Sequence, residues 1–185
     1  MKNIILIHGY NGIPKIFEYF KNILEKDNYN VIIPSFPTKT NINIKWYFDV
    51  LDKYKNYFNN ECIVVAHSIG NIMFLKYICQ YNLKINLYIS LAGFSRPFIV
   101  EGKDDLNNVI APLIINEAEE NKCKKLIKNK YSIYSYNDHI VPLDILKQFS
   151  EIVDSTPVFI KGIGHMGKKI GLESLPEVVD IIKKY

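Results

Sequence analysis

The chain has 185 residues, a length that predicts one domain and leaves too little chain for a second of ordinary size. Its residues are 48% hydrophobic and 23% charged, which is typical of a globular protein and excludes a disordered or fibrous chain. The net charge of +4 comes from scattered lysines, with Arg96 as the single arginine, so we do not expect a dedicated nucleic-acid surface.

Six short apolar runs, rich in β-branched residues, are predicted to be strands. In chain order they are residues 3–7, 31–33, 63–66, 87–91, 131–136 and 158–160. Five further segments place their apolar residues at helical spacing. They are residues 16–24, 44–58, 72–79, 145–152 and 175–182. The alternation predicts an α/β fold, a mostly parallel central sheet of about six strands with helices on both faces.

Two segments carry more specific signals. The last helix has a predicted start, because Ser174 and Glu177 have the spacing of a capping box and Pro176 lies in the first turn. Residues 96–130 are polar and only weakly periodic, with a helix indicated from about residue 113 to 127. We treat this segment as a candidate flap over a site, which in such sheets lies beyond the carboxyl ends of the strands.

Ser68 is the candidate nucleophile, because it lies between an apolar strand and a helical pattern in the string Ala66-His67-Ser68-Ile69-Gly70. A nucleophile elbow has this strand-turn-helix context and needs small residues two positions before and after the serine. Ala66 and Gly70 meet that need. The alternative is an ordinary turn serine that caps the helix behind it.

A serine needs a base to remove its proton, and the base needs an acid to orient it. Asp138 follows the fifth predicted strand, and His165 lies in a glycine-rich loop after the sixth. The order Ser, Asp, His is that of α/β-hydrolases. Asp138 has rivals as the acid, since Asp144 or Asp154 could serve if Asp138 is only a turn residue.

The string His8-Gly9-Tyr10-Asn11-Gly12 follows the first strand, where main-chain N–H groups can point at a developing oxyanion. We therefore predict the backbone N–H groups of Tyr10 and Ile69 as oxyanion-hole donors. The pocket candidates are Tyr10, Phe94, Phe98 and Met166. His8, His67 and His139 lack the spacing of metal ligands, so we expect no metal, and we assign them to orienting loops.

With these motifs the chain resembles the α/β-hydrolase superfamily, and within it the compact serine hydrolases of the YdeN and retinoblastoma-binding protein 9 type. The resemblance spans nearly the whole chain. The matching strings are His8-Gly9-Tyr10, Ala66-His67-Ser68-Ile69-Gly70, Asp138 with Ile140-Val141-Pro142, Gly164-His165, and Ser174-Leu175-Pro176. It implies one small hydrolase domain over residues 1–185 without a large cap, a triad of Ser68, His165 and Asp138, and esterase-type activity.

The resulting hypothesis is a serine hydrolase that cleaves small esters through an acyl-serine intermediate and requires no cofactor. The alternatives are a thioesterase, amidase or acyltransferase with the same triad, or a non-catalytic binding protein on a hydrolase scaffold. Three cysteines without a CxxC pair indicate a reducing compartment. With neither a leader peptide nor an apolar run of membrane-spanning length, the expected location is the cytoplasm and the expected partner a small acyl substrate; protein partners are not indicated.

Overall fold

The computed structural model describes residues 1–10, 12, 17–36, 43–166 and 175–185. Within these residues, six strands form one sheet. They are β1 (Asn3–Ile7), β2 (Asn30–Ile32), β3 (Ile63–His67), β4 (Ile85–Leu91), β5 (Ile127–Tyr134) and β6 (Thr156–Phe159). Each lies on or beside a run predicted from the sequence.

The strands lie in the order β2-β1-β3-β4-β5-β6, and every neighbouring pair is parallel. The predicted fold class is therefore confirmed, with an all-parallel sheet. Because parallel strands end at the same edge, the loops after β1, β3, β4, β5 and β6 share that edge. The register places His67, the last residue of β3, beside Leu91, the last residue of β4.

Seven α-helices lie within the described residues. They are α1 (Glu18–Lys26), α2 (Ile44–Leu51), α3 (Ile69–Tyr81), α4 (Asp104–Ile110), α5 (Glu117–Leu126), α6 (Leu143–Ile152) and α7 (Pro176–Ile182). A 3-10 helix over Asp52–Tyr57 continues α2. Every residue of β3 is buried, and successive side chains of a strand point to opposite faces, so the centre of the sheet is covered on both sides.

Helix α3 packs in the middle of this core. It begins directly after Ser68 and ends at Tyr81, and the next residue, Asn82, caps it in a left-handed conformation (φ 55°), as is common at helix C-termini. Ten of its residues are buried, which agrees with a helix that packs both against the sheet and against α5. The Sγ atoms of Cys79 on α3 and Cys123 on α5 lie 3.1 Å apart, so the two helices are in close contact.

The segment 96–130 differs from its prediction. The helix expected from about residue 113 to 127 is shorter, because Asn116 and Glu119 form a capping box that starts α5 at Glu117. The fifth strand begins at Ile127 and ends at Tyr134, instead of spanning 131–136. Its first half contains the polar residues Lys128, Asn129 and Lys130. Because the strand prediction relied on apolar runs, it did not include these residues. Residues 117–130 therefore belong to the α/β framework, and only residues before Asn116 remain candidates for a flap.

The last helix begins at Pro176, with Leu175 as its N-cap. Pro176 lies in the first turn as expected, but the helix starts one residue later than a cap at Ser174 predicts. Its predicted capping residue Ser174, the apolar Ile16 of the first helical pattern and Asn11 of the glycine-rich loop lie outside the described residues. Across the described part of the chain, no helix is both long enough and apolar enough to span a membrane.

The capping box of α5 predicts a measurable loss of stability in Asn116→Ala. The Asn116 side chain accepts from the N–H of Glu119 at 3.0 Å, and the Glu119 carboxylate accepts from the N–H of Asn116 at 3.0 Å. We expect the free energy of unfolding in urea to fall by about 1 kcal/mol. The control Lys45→Ala, which removes the exposed Lys45–Asp49 pair, should change it by less than about 0.5 kcal/mol. Equal losses in the two variants would contradict a stabilising cap.

Candidate active site

Ser68 lies in a strained turn between β3 and α3. Its backbone angles are φ 55° and ψ −128°, in a region that residues with a side chain rarely adopt. The turn needs small neighbours: a Cβ at Gly70 would lie 2.8 Å from the carbonyl oxygen of His8, closer than a side-chain carbon can approach. The strand, the turn and the helix have the geometry expected of a nucleophile elbow.

The Ser68 hydroxyl does not cap the helix that follows it. No side-chain capping hydrogen bond is present at the start of α3; instead, Ser68 Oγ lies 3.0 Å from Nε2 of His165. The other ring nitrogen, Nδ1, lies 2.9 Å from Oδ2 of Asp138. A carboxylate can only accept, so Nδ1 carries the proton and Nε2 is free to accept the hydrogen of Ser68. This chain of hydrogen bonds is the arrangement in which an imidazole can deprotonate a serine.

Asp138 is held in place by the main chain of its own loop. Its Oδ1 accepts from the N–H groups of Ile140 at 2.8 Å and Val141 at 2.9 Å. Burial raises the pKa of the carboxyl group, but the hydrogen bond and charge of His165 and these two N–H groups outweigh it and lower the pKa below the ordinary 3.8. Asp138 is therefore ionised. The rival acids lie elsewhere, Asp144 in the first turn of α6 and Asp154 in the turn after it.

The loop that carries His165 is fixed by side chains from two other strand ends. His67, the last residue of β3, donates from Nε2 to the carbonyl oxygen of His165 at 2.8 Å. Asn137, beside Asp138, accepts from the N–H of Gly164 at 3.1 Å. Gly164 and Met166 have φ values of 57° and 55°, so the loop turns sharply on both sides of the imidazole. The base is thus held by its main chain as well as by its ring.

Two of the remaining histidines are buried and neutral. Burial, together with the nearby His165, lowers the pKa of His67 to about 3. Burial also lowers the pKa of His8, whose Nδ1 donates to the carbonyl of Gly9 at 3.0 Å and whose Nε2 accepts from the N–H of Phe36 at 3.3 Å. Both side chains hold loops by hydrogen bonds, in agreement with the role expected of them. Among the described residues, no group of three or more His, Cys, Asp or Glu side chains is arranged to hold a metal ion.

The loop after β1 passes directly beside Ser68. A Cβ at Gly9 would lie 2.8 Å from the Cβ of Ser68, so only glycine allows this approach. The carbonyl of Gly9 accepts from His8 Nδ1 and from the N–H of Gly12 at 3.0 Å. In a trans peptide the C=O and the next N–H point in opposite directions, so the Tyr10 N–H points away from these two donors. Ile69 is the first residue of α3, where an N–H has no acceptor within the helix.

The four predicted pocket residues occupy different environments. Tyr10 and Phe98 are partly buried against the core. Phe94 and Met166 are each only 1% exposed, and the rings of Phe94 and Phe98 meet edge to face with centroids 4.9 Å apart. Phe94 follows β4 and Met166 follows His165, so both lie on the loops of the site edge. Their contact with a substrate stays a prediction.

Two side chains that hold the site were not predicted from the sequence. Asn71 donates to the carbonyl of Ser68 at 2.8 Å, and Asn137 fixes Gly164 as described above. A signal for Asn71 was present, because asparagine is disfavoured within helices and α3 is otherwise largely apolar. Asn137 gave no such signal, since asparagine is common in loops.

Comparison with known proteins shows the family and the fold of the chain. The family model described as "Serine hydrolase" matches residues 4–184. YdeN of Bacillus subtilis (strain 168) is 24% identical over 189 residues, covering 100% of this chain and 96% of that protein. The crystal structure of the B. subtilis ydeN gene product superposes with a TM-score of 0.88 over 100% of this chain and 98% of that one, at 24% identity. A "predicted CIB-like hydrolase" from Thermoplasma acidophilum is 20% identical, with a TM-score of 0.70 over 100% of this chain and 87% of that one.

The lowered pKa of Asp138 predicts how stability depends on pH. A carboxyl group whose pKa is lower in the folded state stabilises the fold above its unfolded pKa of about 4, and this contribution is lost as pH falls through the folded value. Asp138→Asn keeps an oxygen for the N–H groups of Ile140 and Val141 but removes the charge. Urea unfolding between about pH 3 and pH 7 should show wild type more stable than the variant near neutrality, with the difference shrinking below about pH 4. A constant difference over this range would contradict the lowered pKa.

Proposed function

We propose that this chain, which belongs to the serine hydrolase family, is a carboxylesterase that cleaves small esters through an acyl intermediate on Ser68. The observation that carries the proposal is the hydrogen-bond chain from Asp138 through His165 to Ser68, with nitrogen–oxygen distances of 2.9 Å and 3.0 Å. A serine that only capped its helix would not need a histidine and an ionised carboxylate aligned behind it.

In the proposed reaction, His165 Nε2 takes the proton of Ser68 as Oγ attacks the ester carbonyl. The imidazolium is stabilised by the ionised Asp138 and then gives its proton to the leaving alcohol. Water, deprotonated by the same Nε2, attacks the acyl-serine. The bond between the acyl carbon and Ser68 Oγ then breaks, the acid is released, and Nε2 returns the proton to Oγ. These steps use side chains and main-chain N–H groups alone, and no metal or organic cofactor takes part in them.

The N–H groups of Tyr10 and Ile69 are our proposed donors to the oxyanion. Support comes from the loop after β1, which touches Ser68 through Gly9, and from the position of Ile69 at the start of α3, where the helix dipole favours negative charge. Loss of one such donor costs about 3–4 kcal/mol of transition-state stabilisation.

The proposed substrates carry short acyl groups. Between β4 and α5 the chain adds only residues 92–116, a short insertion compared with a cap that could enclose a long acyl chain. Phe94 and Met166, each 1% exposed, are proposed to form the floor of the acyl pocket, and Tyr10 and Phe98 its rim.

Rates on matched ester, thioester and amide substrates with the same acyl group would test the bond type, and a faster thioester or amide reaction would overturn the carboxylesterase assignment.

Replacement of Ser68 by alanine should abolish covalent labelling. A fluorophosphonate reacts with an activated serine, so wild type should be labelled on the peptide that contains Ser68, and Ser68→Ala should not be labelled at all. We expect kcat/KM for an activated ester to fall by about 10⁶-fold. The control Ser150→Ala removes a buried hydroxyl whose hydrogen-bond partner among the described residues is Ser155, and it should react as wild type does. Equal labelling of wild type and Ser68→Ala would contradict the nucleophile assignment.

General-base catalysis by His165 also predicts the direction of the pH profile. Protonation of Nε2 removes the acceptor for the Ser68 hydrogen, so kcat/KM should fall towards acid pH between about pH 8 and pH 5. His8 and His67 do not contribute to this limb, because burial lowers the pKa of both. The exposed His139 supplies the control: His139→Asn should keep the wild-type profile. A flat wild-type profile, or one abolished by His139→Asn, would argue against His165 as the base.

A further inference from the structure

We propose that Asn71 is a positioning residue for the nucleophile: its side-chain amide clamps the main chain of Ser68 to the end of β4. The inference rests on the proposed function, since it gives Asn71 a role in a reaction that takes place on Ser68. None of the motifs that identify the site includes this residue.

The contacts of Asn71 form a closed ring around the backbone of Ser68. Nδ2 of Asn71 donates to the carbonyl of Ser68 at 2.8 Å and to the carbonyl of Leu91 at 3.2 Å. The N–H of Ser68 donates to the same Leu91 carbonyl at 2.9 Å. Both main-chain polar groups of Ser68 are therefore tied, directly or through Asn71, to the last residue of β4. Asn71 is 0% exposed, so water does not compete for these bonds.

Tyr88 on β4 fixes which way the amide faces. Its hydroxyl donates to Oδ1 of Asn71 at 2.6 Å. Burial raises the pKa of Tyr88 well above 10.0, so the hydroxyl keeps the proton that it donates. With Oδ1 occupied in this way, Nδ2 must face the two carbonyl groups. All the polar groups of the Asn71 side chain are thus used, as a buried amide requires.

The strain at Ser68 explains why such a clamp matters. A non-glycine residue at φ 55° is strained and persists only where its surroundings over-determine it. If the turn relaxed, Oγ would move relative to Nε2 of His165, which it now meets at 3.0 Å. A shift of about 1 Å in such a contact can cost on the order of 100-fold in rate. Since a leucine could fill the same volume without needing partners, the buried amide is best explained by its hold on the turn.

The test measures how fast a fluorophosphonate labels folded protein, together with kcat and KM for an activated ester. Asn71→Ala removes both side-chain bonds to the carbonyls and should lower the labelling rate and kcat by about 10-fold to 100-fold, with KM and the pH midpoint unchanged. Tyr88→Phe leaves the amide in place but removes the bond that orients it, and it should lower the labelling rate by about 2-fold to 5-fold.

The matched control is Ser132→Ala, which removes a buried hydroxyl on β5 that bonds to Ser155 at 2.6 Å. It should lower the melting temperature but leave the labelling rate at the wild-type value. The proposal is overturned if folded Asn71→Ala is labelled as fast as wild type, or if Ser132→Ala slows labelling as much as Asn71→Ala does. Should Asn71→Ala fail to fold, Tyr88→Phe decides, and a wild-type rate for it overturns the clamp. Absence of labelling in wild type would instead overturn the proposed function itself.

Discussion

The strained backbone of Ser68 is the constraint on which the site depends. With its backbone at φ 55°, Ser68 projects its side chain out of the strand and helix that flank it. Its hydroxyl can therefore face His165 from another loop instead of the sheet. The strain of about 1–3 kcal/mol is small against the burial around it: β3 is buried throughout, and α3 contributes ten buried residues. These two rigid elements hold the ends of the turn, and the proposed Asn71 clamp holds the residue between them.

The parallel sheet supplies the other partners. Loops after β1, β3, β5 and β6 meet at one edge because every strand pair runs in the same direction. Residues 97 positions apart, Ser68 and His165, therefore meet at hydrogen-bond distance. The close approach of the loop after β1 to Ser68 also requires glycine at two positions. A Cβ at Gly9 would lie 2.8 Å from the Cβ of Ser68, and one at Gly70 would lie 2.8 Å from the carbonyl oxygen of His8. The glycines thus determine how near the loop after β1 comes to the serine.

The sequence predicted the sheet, its order of elements and the meeting of Ser68, Asp138 and His165 well, because these follow from local patterns and from the rule that parallel strands end together. It was wrong about the start of β5, where Lys128 and Asn129 on a partly covered strand read as a loop. It also missed Asn71 and Asn137. Their side chains form hydrogen bonds to main-chain groups of Ser68, Leu91 and Gly164, which they meet only in the folded protein. Such bonds have no fixed spacing in the chain, so no motif records them.

The histidines of the site have two different roles, and burial contributes to the difference between them. His8 and His67 are nearly enclosed, 1% and 6% exposed. No carboxylate of the described residues is bonded to either ring, and burial lowers the pKa of each. They stay neutral and hold loops by fixed hydrogen bonds. Their N–H groups bond the carbonyls of Gly9 and His165, and Nε2 of His8 also accepts from the N–H of Phe36. His165, by contrast, has an ionised aspartate against Nδ1, which favours the imidazolium that a proton transfer creates. Histidine therefore holds loops at two buried positions and is the proposed proton carrier at a third, and both burial and the carboxylate of Asp138 account for the difference.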